Sequence, residues 1–361
     1  MPAIPKMGPE EGSMAVPAMP HRMVKGIWSL RAWGVGVFAL PIHFCYFAIV
    51  YLLLRGAPSP GITNLFLLVI AFELYFAYGV LVNDYFDRQV DIDAGKSSPK
   101  RGHMLTEREV AVVLALQLVA SVIVIALVGG GVVFDLLWVV AFALATMYSA
   151  PPARLRAKGV WGLLSDSVIE KPIPVLIVFA LFRYYGVETL LFPVCAELLD
   201  SIFKHQVEDF DSDSKLGVKT FAVEIGKERS TRAQRAIIDP ANAVAVLTLF
   251  LLAYAMLPSA RGVTAVSSLL LAAGLLAFAW LQKRGRVRTG FPFPQPPILG
   301  YLNFAFRTLL LGGLAAAVVI LVPGYAPFAV LVWLSIAVYL KGYARLLPDF
   351  LRYVVSSGSK R

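Results

Sequence analysis

Charge is scarce in this chain: only 16% of its 361 residues are Asp, Glu, Lys or Arg, whereas 58% are hydrophobic. The mean hydropathy is +0.72. Soluble globular chains carry about 25% charged residues, so the composition excludes that class. The surplus apolar surface needs lipid around it, and we therefore expect an integral membrane protein.

Cysteine and histidine are also scarce. Cys45 and Cys195 both lie in apolar segments, which favours two small core residues over a disulfide. The four histidines are too scattered for a zinc site. The formal net charge of +10 would suit a nucleic-acid partner in a soluble protein. In a membrane protein the distribution of Lys and Arg matters more, and we expect no nucleic acid.

Long apolar runs are abundant instead, and each is close to the ~20 residues that a helix needs to cross hydrocarbon. Ten such runs cover residues 33–54, 62–82, 110–128, 132–148, 160–182, 189–207, 241–257, 262–281, 304–322 and 327–345. The predicted fold class is an all-α integral membrane bundle of about nine or ten transmembrane helices. It would occupy residues 26–349, between a disordered cytoplasmic tail (1–25) and a polar cytoplasmic tail (350–361).

Local signals support several ends of these runs. Thr106 and Glu109 have the spacing of a helix capping box before the third run. A triple glycine (129–131) predicts a tight turn between the third and fourth runs. Pro151 and Pro152 end the fourth run, because proline lacks an amide donor and disfavours helix in the residue before it.

The basic residues are distributed unevenly. If all ten runs cross, 29 of the 33 Lys and Arg residues fall on the side of the amino terminus. Three fall on the other side, namely Arg55, Arg183 and Arg261. The positive-inside rule then predicts that both termini are cytoplasmic, as in a multi-pass protein of the bacterial inner membrane.

A first acidic motif, NDYFDRQVD (83–91), ends the second apolar run. Asn83, Asp87 and Asp91 recur every four residues, so on a helix they stack along one face about 6 Å apart. Carboxylates this close repel one another at the edge of hydrocarbon unless a cation binds them. Mg²⁺ takes oxygen ligands and keeps water or phosphate oxygens in its shell. The alternative interpretation is a solvated helix end.

A second acidic motif, EDFDSD (208–213), also follows an apolar run and places Asp209 and Asp213 one helical turn apart. Asp84 and Asp211 fall on other helix faces, and we expect them to have supporting roles. Two acidic ladders at the same side of the membrane, with Lys and Arg nearby, predict a site for a metal-bridged diphosphate.

Three motifs carry a resemblance to a known family. The first stretch resembles the NDxxDxxxD motif of the UbiA-type prenyltransferase superfamily. The second, followed by KLGVKT (215–220), resembles the second aspartate motif of that family with its trailing G-x-K-[ST]. Between them, YSAPPARL (148–155) is similar to the YSxPPxRLK signature. The resemblance covers roughly residues 25–230.

The resemblance implies specific roles for these residues. Asp87, Asp91, Asp209 and Asp213 would be catalytic, with one Mg²⁺ held by Asn83, Asp87 and Asp91 and another by Asp209 and Asp213. The substrate-binding residues would be Arg31, Asn83, Arg88, Lys96, Tyr148, Arg154 and Lys215.

The chain departs from the family pattern in two places. The family has nine helices, with three after the second motif, where this chain has four apolar runs. The segment 96–103 also differs from the family's R-P-x-x-S-G-like run, so the acceptor class does not carry over.

The resemblance implies Mg²⁺-dependent transfer of an isoprenyl group from an allylic prenyl diphosphate, through metal-assisted ionisation to an allylic cation. The acceptor would be a lipophilic or aromatic molecule in the bilayer. One alternative is a membrane terpene cyclase of the same fold, which needs no external acceptor. Another is a transporter, against which stand the shared face of the two ladders and the lack of inverted repeats.

Five acidic residues outside the motifs lie at some depth in apolar runs: Glu73, Asp166, Glu170, Glu197 and Asp200. Such groups usually face the interior of a bundle. Glu73, Asp166 and Glu170 are the best candidates for lining an acceptor pocket. The alternative is local pairing, of Glu197 or Asp200 with Lys204 and of Glu170 with Lys171.

The charge asymmetry makes a topology prediction. Reporter fusions should place Gly324 outside and the carboxy terminus in the cytoplasm, because a chain that crosses the membrane ten times keeps its basic loops in the cytoplasm. A carboxy terminus found outside would mean nine spans and one late run that does not cross.

Overall fold

The computed structural model describes residues 25, 41–93, 105–283 and 297–356, and the described chain is built from helices. They are α1 (Ile42–Arg55), α2 (Ile62–Phe86), α3 (Arg88–Asp93), α4 (Glu107–Val128), α5 (Val132–Ser149), α6 (Val160–Ile169), α7 (Pro172–Leu181), α8 (Glu188–Leu199), α9 (Ile202–Glu208), α10 (Phe210–Lys215), α11 (Phe221–Ile225), α12 (Lys227–Ala233), α13 (Asp239–Met256), α14 (Arg261–Lys283), α15 (Pro297–Phe304), α16 (Leu311–Leu321) and α17 (Ala326–Ser356). Two π-helical turns, Gln234–Ile238 and Ala305–Leu310, join α12 to α13 and α15 to α16.

Seven helical stretches of the described chain are long and apolar enough to cross a membrane. They are Ile62–Phe86, Glu107–Val128, Val132–Ser149, Lys227–Met256, Pro258–Leu281, Ile298–Leu321 and Pro323–Lys341. The other three predicted runs contain shorter helices: α1, the pair α6 and α7, and the pair α8 and α9. The chain is thus an all-helical, multi-pass membrane protein, whereas a count of nine or ten spans stays a prediction.

Two predicted runs that were expected to be continuous helices are broken near their middle. In the first, Pro172 begins α7 and forces Lys171 out of helical geometry. In the second, Asp200 adopts φ −142° and ψ 60° between α8 and α9. The amide of Ile202, freed by this break, donates to Glu197 Oε1 at 3.1 Å. Side chains must satisfy such breaks because lipid offers no hydrogen bonds.

The predicted helix ends agree with the structure. The Thr106 side chain accepts from the amide of Glu109, whose carboxylate accepts in return from the amide of Thr106, so the capping box is confirmed. Gly129 ends α4 in the left-handed conformation with φ 63°. Helix α5 ends at Ser149, just before the two prolines.

Helix α1 lies at the centre of the bundle. Every residue from Ile42 to Leu53 is buried, and the helix packs against α7, α16 and α17. Aromatic rings from other elements also surround α1: Phe47 contacts Phe192 on α8 and Phe306 in the second π-helical turn, at centroid distances of 5.1 and 5.3 Å. Tilted ring pairs of this kind add to the burial of apolar area.

A buried lysine joins the two broken runs. Lys171 is fully buried, and its Nζ donates to Glu170 Oε2 and lies 3.8 Å from Glu197 Oε2. The expected pairing of Glu170 with Lys171 is confirmed. Pairing of Glu197 with Lys204 is wrong, because Lys204 lies beside Glu208 at 3.9 Å and the break in the helix turns Glu197 towards Lys171.

Asp200 has a partner from the far end of the chain. Its Oδ2 lies 3.7 Å from Nη2 of Arg307, a buried residue in the second π-helical turn. Its Oδ1 lies 3.8 Å from His205. Arg307 Nη1 also lies 3.3 Å from His43, which hydrogen-bonds Ser335 at 2.9 Å. Arg307 was one of the 29 basic residues assigned to the cytoplasmic side. Because it is buried in the bundle, it says nothing about topology.

One backbone contact ties together two loops at the end of the bundle that carries the motifs. The amide of Gly159 donates to the carbonyl of Lys219 at 2.9 Å, and Gly159 forms an isolated parallel bridge with Thr220. Gly159 has φ 51° and ψ −115°, and a Cβ there would collide with the carboxylate of Glu224. Only glycine fits this position, which fixes the loop after α5 against the loop before α11.

Gly159→Ala should therefore lower the thermal unfolding midpoint of the purified protein, since backbone strain of this kind costs about 1–3 kcal/mol. The control is Gly262→Ala, in a helical position with open space around its Cα. That change should leave the midpoint equal or slightly higher. An unchanged midpoint for Gly159→Ala would show that the two loops are not held together here.

Candidate active site

Each acidic motif bends at one of its aspartates. Asp87 links α2 to α3 with φ −96° and ψ 0°, and Asp209 links α9 to α10 with φ −87° and ψ 2°. This sparsely populated region of backbone space is common among active-site residues. The amide of Asp87 still donates to the carbonyl of Asn83, and that of Asp213 to Asp209. The four-residue spacing is therefore kept, but the expected continuous helix through the first ladder ends at Phe86.

Arg156 binds the first motif. Its Nη1 donates to Asn83 Oδ1 at 3.2 Å and also pairs with Asp87 Oδ2. Asn83 Oδ1 accepts a second hydrogen bond from Ser149 Oγ at 3.0 Å. Asp87 is only 4% exposed. A carboxylate buried this deeply needs an opposite charge, and Arg156 supplies it.

Arg156 also lies in the electrostatic field of the second motif. Burial lowers the pKa of its guanidinium, whereas the carboxylates of Asp213, Asp166 and Asp209 raise that pKa. An arginine stays charged despite such a shift. The guanidinium of Arg156 thus binds the first motif and lies near enough to the second for the carboxylates of Asp209 and Asp213 to raise its pKa.

A cavity of about 280 Å³ opens beside Arg156. Its lining includes Asn83, Tyr148, Asp166 and Glu170 together with Arg156. The Tyr148 hydroxyl lies within hydrogen-bonding reach of the Asp166 carboxylate. Two of the three acids expected around an acceptor pocket therefore line this cavity.

A second cavity, of about 190 Å³, is also lined by Arg156. It is lined by Asp87, Arg154, Arg156, Ala157 and residues 216–218. The last three belong to the loop that Gly159 binds through Lys219. The first motif, the proline loop and the segment that follows the second motif therefore meet around this space.

The other predicted substrate-binding residues differ in how close they come to this centre. Arg154 is half exposed and its Nη2 lies 3.9 Å from Asp87 Oδ1. Arg88 instead donates to the carbonyl of Leu105 at 3.0 Å. Lys215 is exposed at the end of α10. Of these three, the structure brings Arg154 to the site.

Asp84 and Asp211, which we expected to have supporting roles, lie in different surroundings. Asp84 is buried within α2 at 2% exposure. Asp211 is exposed and accepts two hydrogen bonds from Lys227, at 2.8 and 2.6 Å. This surface pair leaves Asp211 outside the centre formed by Arg156.

Three predicted site residues are not covered in full by the structure. Arg31 and Lys96 lie outside the described residues. Asp91 lies on α3, and nothing further is described of its side chain. Their roles as ligands of a metal or a diphosphate stay predictions.

The donor set suits a hard cation that shares its ligands with a substrate. Asp87 Oδ1 is buried and has no hydrogen-bond partner, and the amide oxygen of Asn83 lies beside it on Arg156. Among the described residues, no three His, Cys, Asp or Glu side chains come close enough to hold an ion alone. Mg²⁺ commonly uses one or two carboxylates and takes its other ligands from water and phosphate. The residues therefore fit Mg²⁺.

Arg156 is the site residue that the sequence interpretation missed. It occupies the last position of the YSxPPxRLK-like stretch, where the signature has lysine. That match was the available signal, since a basic residue at this position follows directly from the signature. Spacing alone does not distinguish Arg156 from Arg154, because both lie in one loop and only the fold turns one of them inward.

The geometry defines a class of protein: a helical membrane protein in which two aspartate motifs and a basic loop form one polar centre. The profile of the UbiA prenyltransferase family matches residues 42–290. This is more than half of the chain, and the chain belongs to that family. No curated protein sequence matches it.

Solved structures share the fold at low sequence identity. A UbiA homolog from Archaeoglobus fulgidus bound to DMAPP and Mg²⁺ has 19% identity and a TM-score of 0.51, covering 80% of this chain and 99% of that chain. The same homolog bound to GPP and Mg²⁺ has 18% identity and a TM-score of 0.51, covering 79% and 98%. A digeranylgeranylglyceryl phosphate synthase has 18% identity and a TM-score of 0.52, covering 82% and 99%.

Removal of Arg156 should destabilise the ligand-free protein. Arg156→Ala leaves Asp87 buried without its charge partner, and a broken buried pair costs about 3–5 kcal/mol. The thermal unfolding midpoint should fall, and Asp87→Asn introduced with Arg156→Ala should restore much of the loss.

Arg154→Ala is the matched control, because Arg154 is half exposed and 3.9 Å from Asp87. It should change the midpoint little. Equal losses for the two alanine variants, or no recovery in the double variant, would contradict the pairing of Arg156 with Asp87.

Proposed function

We propose that this protein transfers an isoprenyl group from an allylic prenyl diphosphate to a membrane-soluble acceptor in a Mg²⁺-dependent reaction. In terms of reaction class, it is a transferase of alkyl or aryl groups other than methyl. Membership of the prenyltransferase family gives the broad class of the enzyme. The finer assignment rests on the arrangement of charges around Arg156.

The observation that carries the proposal is that Arg156 binds the first acidic motif and lies near the second. The guanidinium binds Asn83 and Asp87 and lies in the field of Asp209 and Asp213. A centre with facing carboxylates and an arginine between them suits a ligand that is itself anionic and arrives with divalent cations. Prenyl diphosphates have this character, since their phosphate oxygens bind both metal ions and guanidinium groups.

The chain would divide the task of binding the diphosphate. Arg156 and Arg154 would donate hydrogen bonds to its oxygens from the proline loop. Asn83, Asp87 and Asp91 would hold one Mg²⁺, and Asp209 and Asp213 another. When bound, Mg²⁺ neutralises charge that develops on the diphosphate oxygens as the bond to the allylic carbon breaks. Tyr148, at the boundary with the cavity, would lie near the allylic carbon and shield it from water.

The ligands of the solved structures support this proposal. Two structures of the A. fulgidus homolog are bound to a prenyl diphosphate and Mg²⁺. These are the same two kinds of ligand that the donor set here favours. The acceptor is open, because the segment that follows the first motif departs from the family pattern.

The active site would face the cytoplasm, in the inner membrane of a bacterium. The charge asymmetry of the loops supports this orientation. Lys158, Lys215 and Lys219, all exposed, lie in the loops and the helix end that surround the motifs. An anionic substrate made in the cytoplasm would reach such a basic face directly.

Asp87→Asn and Asp209→Asn test whether the two motifs serve one diphosphate. Each change keeps the side-chain shape and removes one charge. Loss of a metal ligand at the leaving group costs several kcal/mol of transition-state stabilisation, and 1.36 kcal/mol is tenfold in rate. Release of diphosphate from geranylgeranyl diphosphate should fall at least about a hundredfold in either variant. The double variant should lose little more, because residues that act as a unit are not additive.

The matched control is Asp211→Asn, which removes a carboxylate from the second motif but from its exposed side. Diphosphate release by that variant should stay close to that of the wild type. A wild-type rate in Asp209→Asn would rule out the shared site. Analysis of products formed without any acceptor separates transfer from cyclisation, since a cyclase converts the diphosphate to a terpene on its own.

A further inference from the structure

The inner part of the 280 Å³ cavity lies beyond the two motifs. Its lining runs along α2 from Asn83 to Tyr75, which is a depth of about 12 Å at the helical rise of 1.5 Å per residue. The Tyr75 hydroxyl donates to the carbonyl of Ile169 at 2.8 Å, which joins α2 to the end of α6. A molecule that meets an allylic carbon below the diphosphate would occupy this inner part.

Two carboxylates line this inner part. Asp166 and Glu170 are four residues apart on α6 and its last turn, so they lie on the same face of the helix. Both are partnered on one side: the Tyr148 hydroxyl lies by Asp166, and Lys171 donates to Glu170 Oε2. Glu170 is still 37% exposed, whereas Lys171 behind it is fully buried. The carboxylate, and not the ammonium group, therefore faces the cavity.

No second basic group balances these carboxylates within the cavity. Among the described lining residues, the one Lys or Arg is Arg156, which lies at the outer end and binds Asn83 and Asp87. The rest of the inner lining includes Tyr75, Phe76 and Ile169. Among the residues that the structure describes, the inner cavity thus offers hydrogen-bond acceptors and aromatic surface, with no Lys or Arg beside them.

Resting on the proposed function, we infer that the acceptor is an uncharged molecule that presents a hydroxyl group to Asp166 and Glu170. An acceptor with a carboxylate or phosphate would bring a further negative charge against these two carboxylates, in a site where the diphosphate is also negative. Like charges at such short range, away from water, are strongly disfavoured. A hydroxyl donates a hydrogen bond to the same oxygens.

The same arrangement accounts for the proton released on transfer. The bond between the acceptor and the allylic carbon forms, and the bond between that carbon and the diphosphate oxygen breaks. Diphosphate leaves with the electron pair. Oε2 of Glu170 is bound to Lys171, and Oε1 of the same carboxylate can take the proton of the acceptor hydroxyl.

The test compares pairs of acceptors that share a hydroxyl group and a carbon skeleton, where one member of each pair carries an anionic group and the other does not. Purified full-length protein in nanodiscs is given geranylgeranyl diphosphate, Mg²⁺ and either 4-hydroxybenzoate or its methyl ester. A second pair is geranylgeranylglyceryl phosphate and geranylgeranylglycerol. Diphosphate release and prenyl coupling are measured separately. We expect kcat/KM for coupling to be at least tenfold higher for the neutral member of a pair.

A preference for the anionic members, with Mg²⁺-dependent diphosphate release intact, would overturn the inference and leave the proposed function standing. A lack of Mg²⁺-dependent release would overturn both. These outcomes need no variant, so they do not depend on whether a substituted protein folds.

Two variants test whether Glu170 and Asp166 cause the selectivity for neutral acceptors. Glu170→Gln should reduce the neutral-to-anionic ratio of kcat/KM at least fivefold by removing a negative charge. Asp166→Asn should reduce the same ratio. It leaves the ion pair of Lys171 intact, so it can replace Glu170→Gln in the test if that variant does not fold. Glu228→Gln, an exposed partner of Arg232 on α12, is the control and should keep the wild-type ratio. An unchanged ratio in both cavity variants would also overturn the inference.

Discussion

The guanidinium of Arg156 holds together groups that would otherwise repel one another. Without it, Asp87 is a buried carboxylate at the end of a membrane helix, with Asp209 and Asp213 approaching from the second motif. The proline loop that carries Arg156 therefore has to lie between the motifs, and its position fixes theirs. Such a site can exchange its internal ion pairs for contacts with a ligand. An anion that arrives with divalent cations offers negative charge to Arg156 and positive charge to the carboxylates.

Much of the fold could be predicted because it depends on local sequence. The capping box at Thr106 and the glycine turn at 129–131 act over a few residues, and the structure has both of them. Seven helical stretches of the described chain are also long and apolar enough to cross a membrane. The breaks in the runs 160–182 and 189–207 were not predicted. Hydropathy is averaged over a whole span, so two polar residues such as Asp200 and Ser201 hardly change it and do not reveal the break. Such a break is stable only because partners such as Arg307, distant in sequence, reach it.

The site shows the same division. The roles predicted for Asn83, Asp87, Asp209 and Asp213 as metal ligands stay predictions. Motif spacing pointed to Asn83 and Asp87 as neighbours, because residues four apart share a helix face, and both bind Arg156. It did not identify Arg156, which differs from Arg154 only in the turn of the loop. Nor did it reveal that Glu170 belongs to a cavity and to a buried ion pair at once, since that depends on how α6 and α7 pack around Lys171.

The contact between Gly159 and Lys219 bears on how fast the enzyme can work. Loops at the mouth of a membrane site are often flexible until a ligand binds. The entropic cost of ordering them then lowers the affinity for that ligand. Here a backbone hydrogen bond joins the two loops. Part of the entropic cost of ordering this end of the site is therefore met by the fold itself and not by the free energy of binding. Loops that are ordered in advance in this way favour fast capture of a ligand.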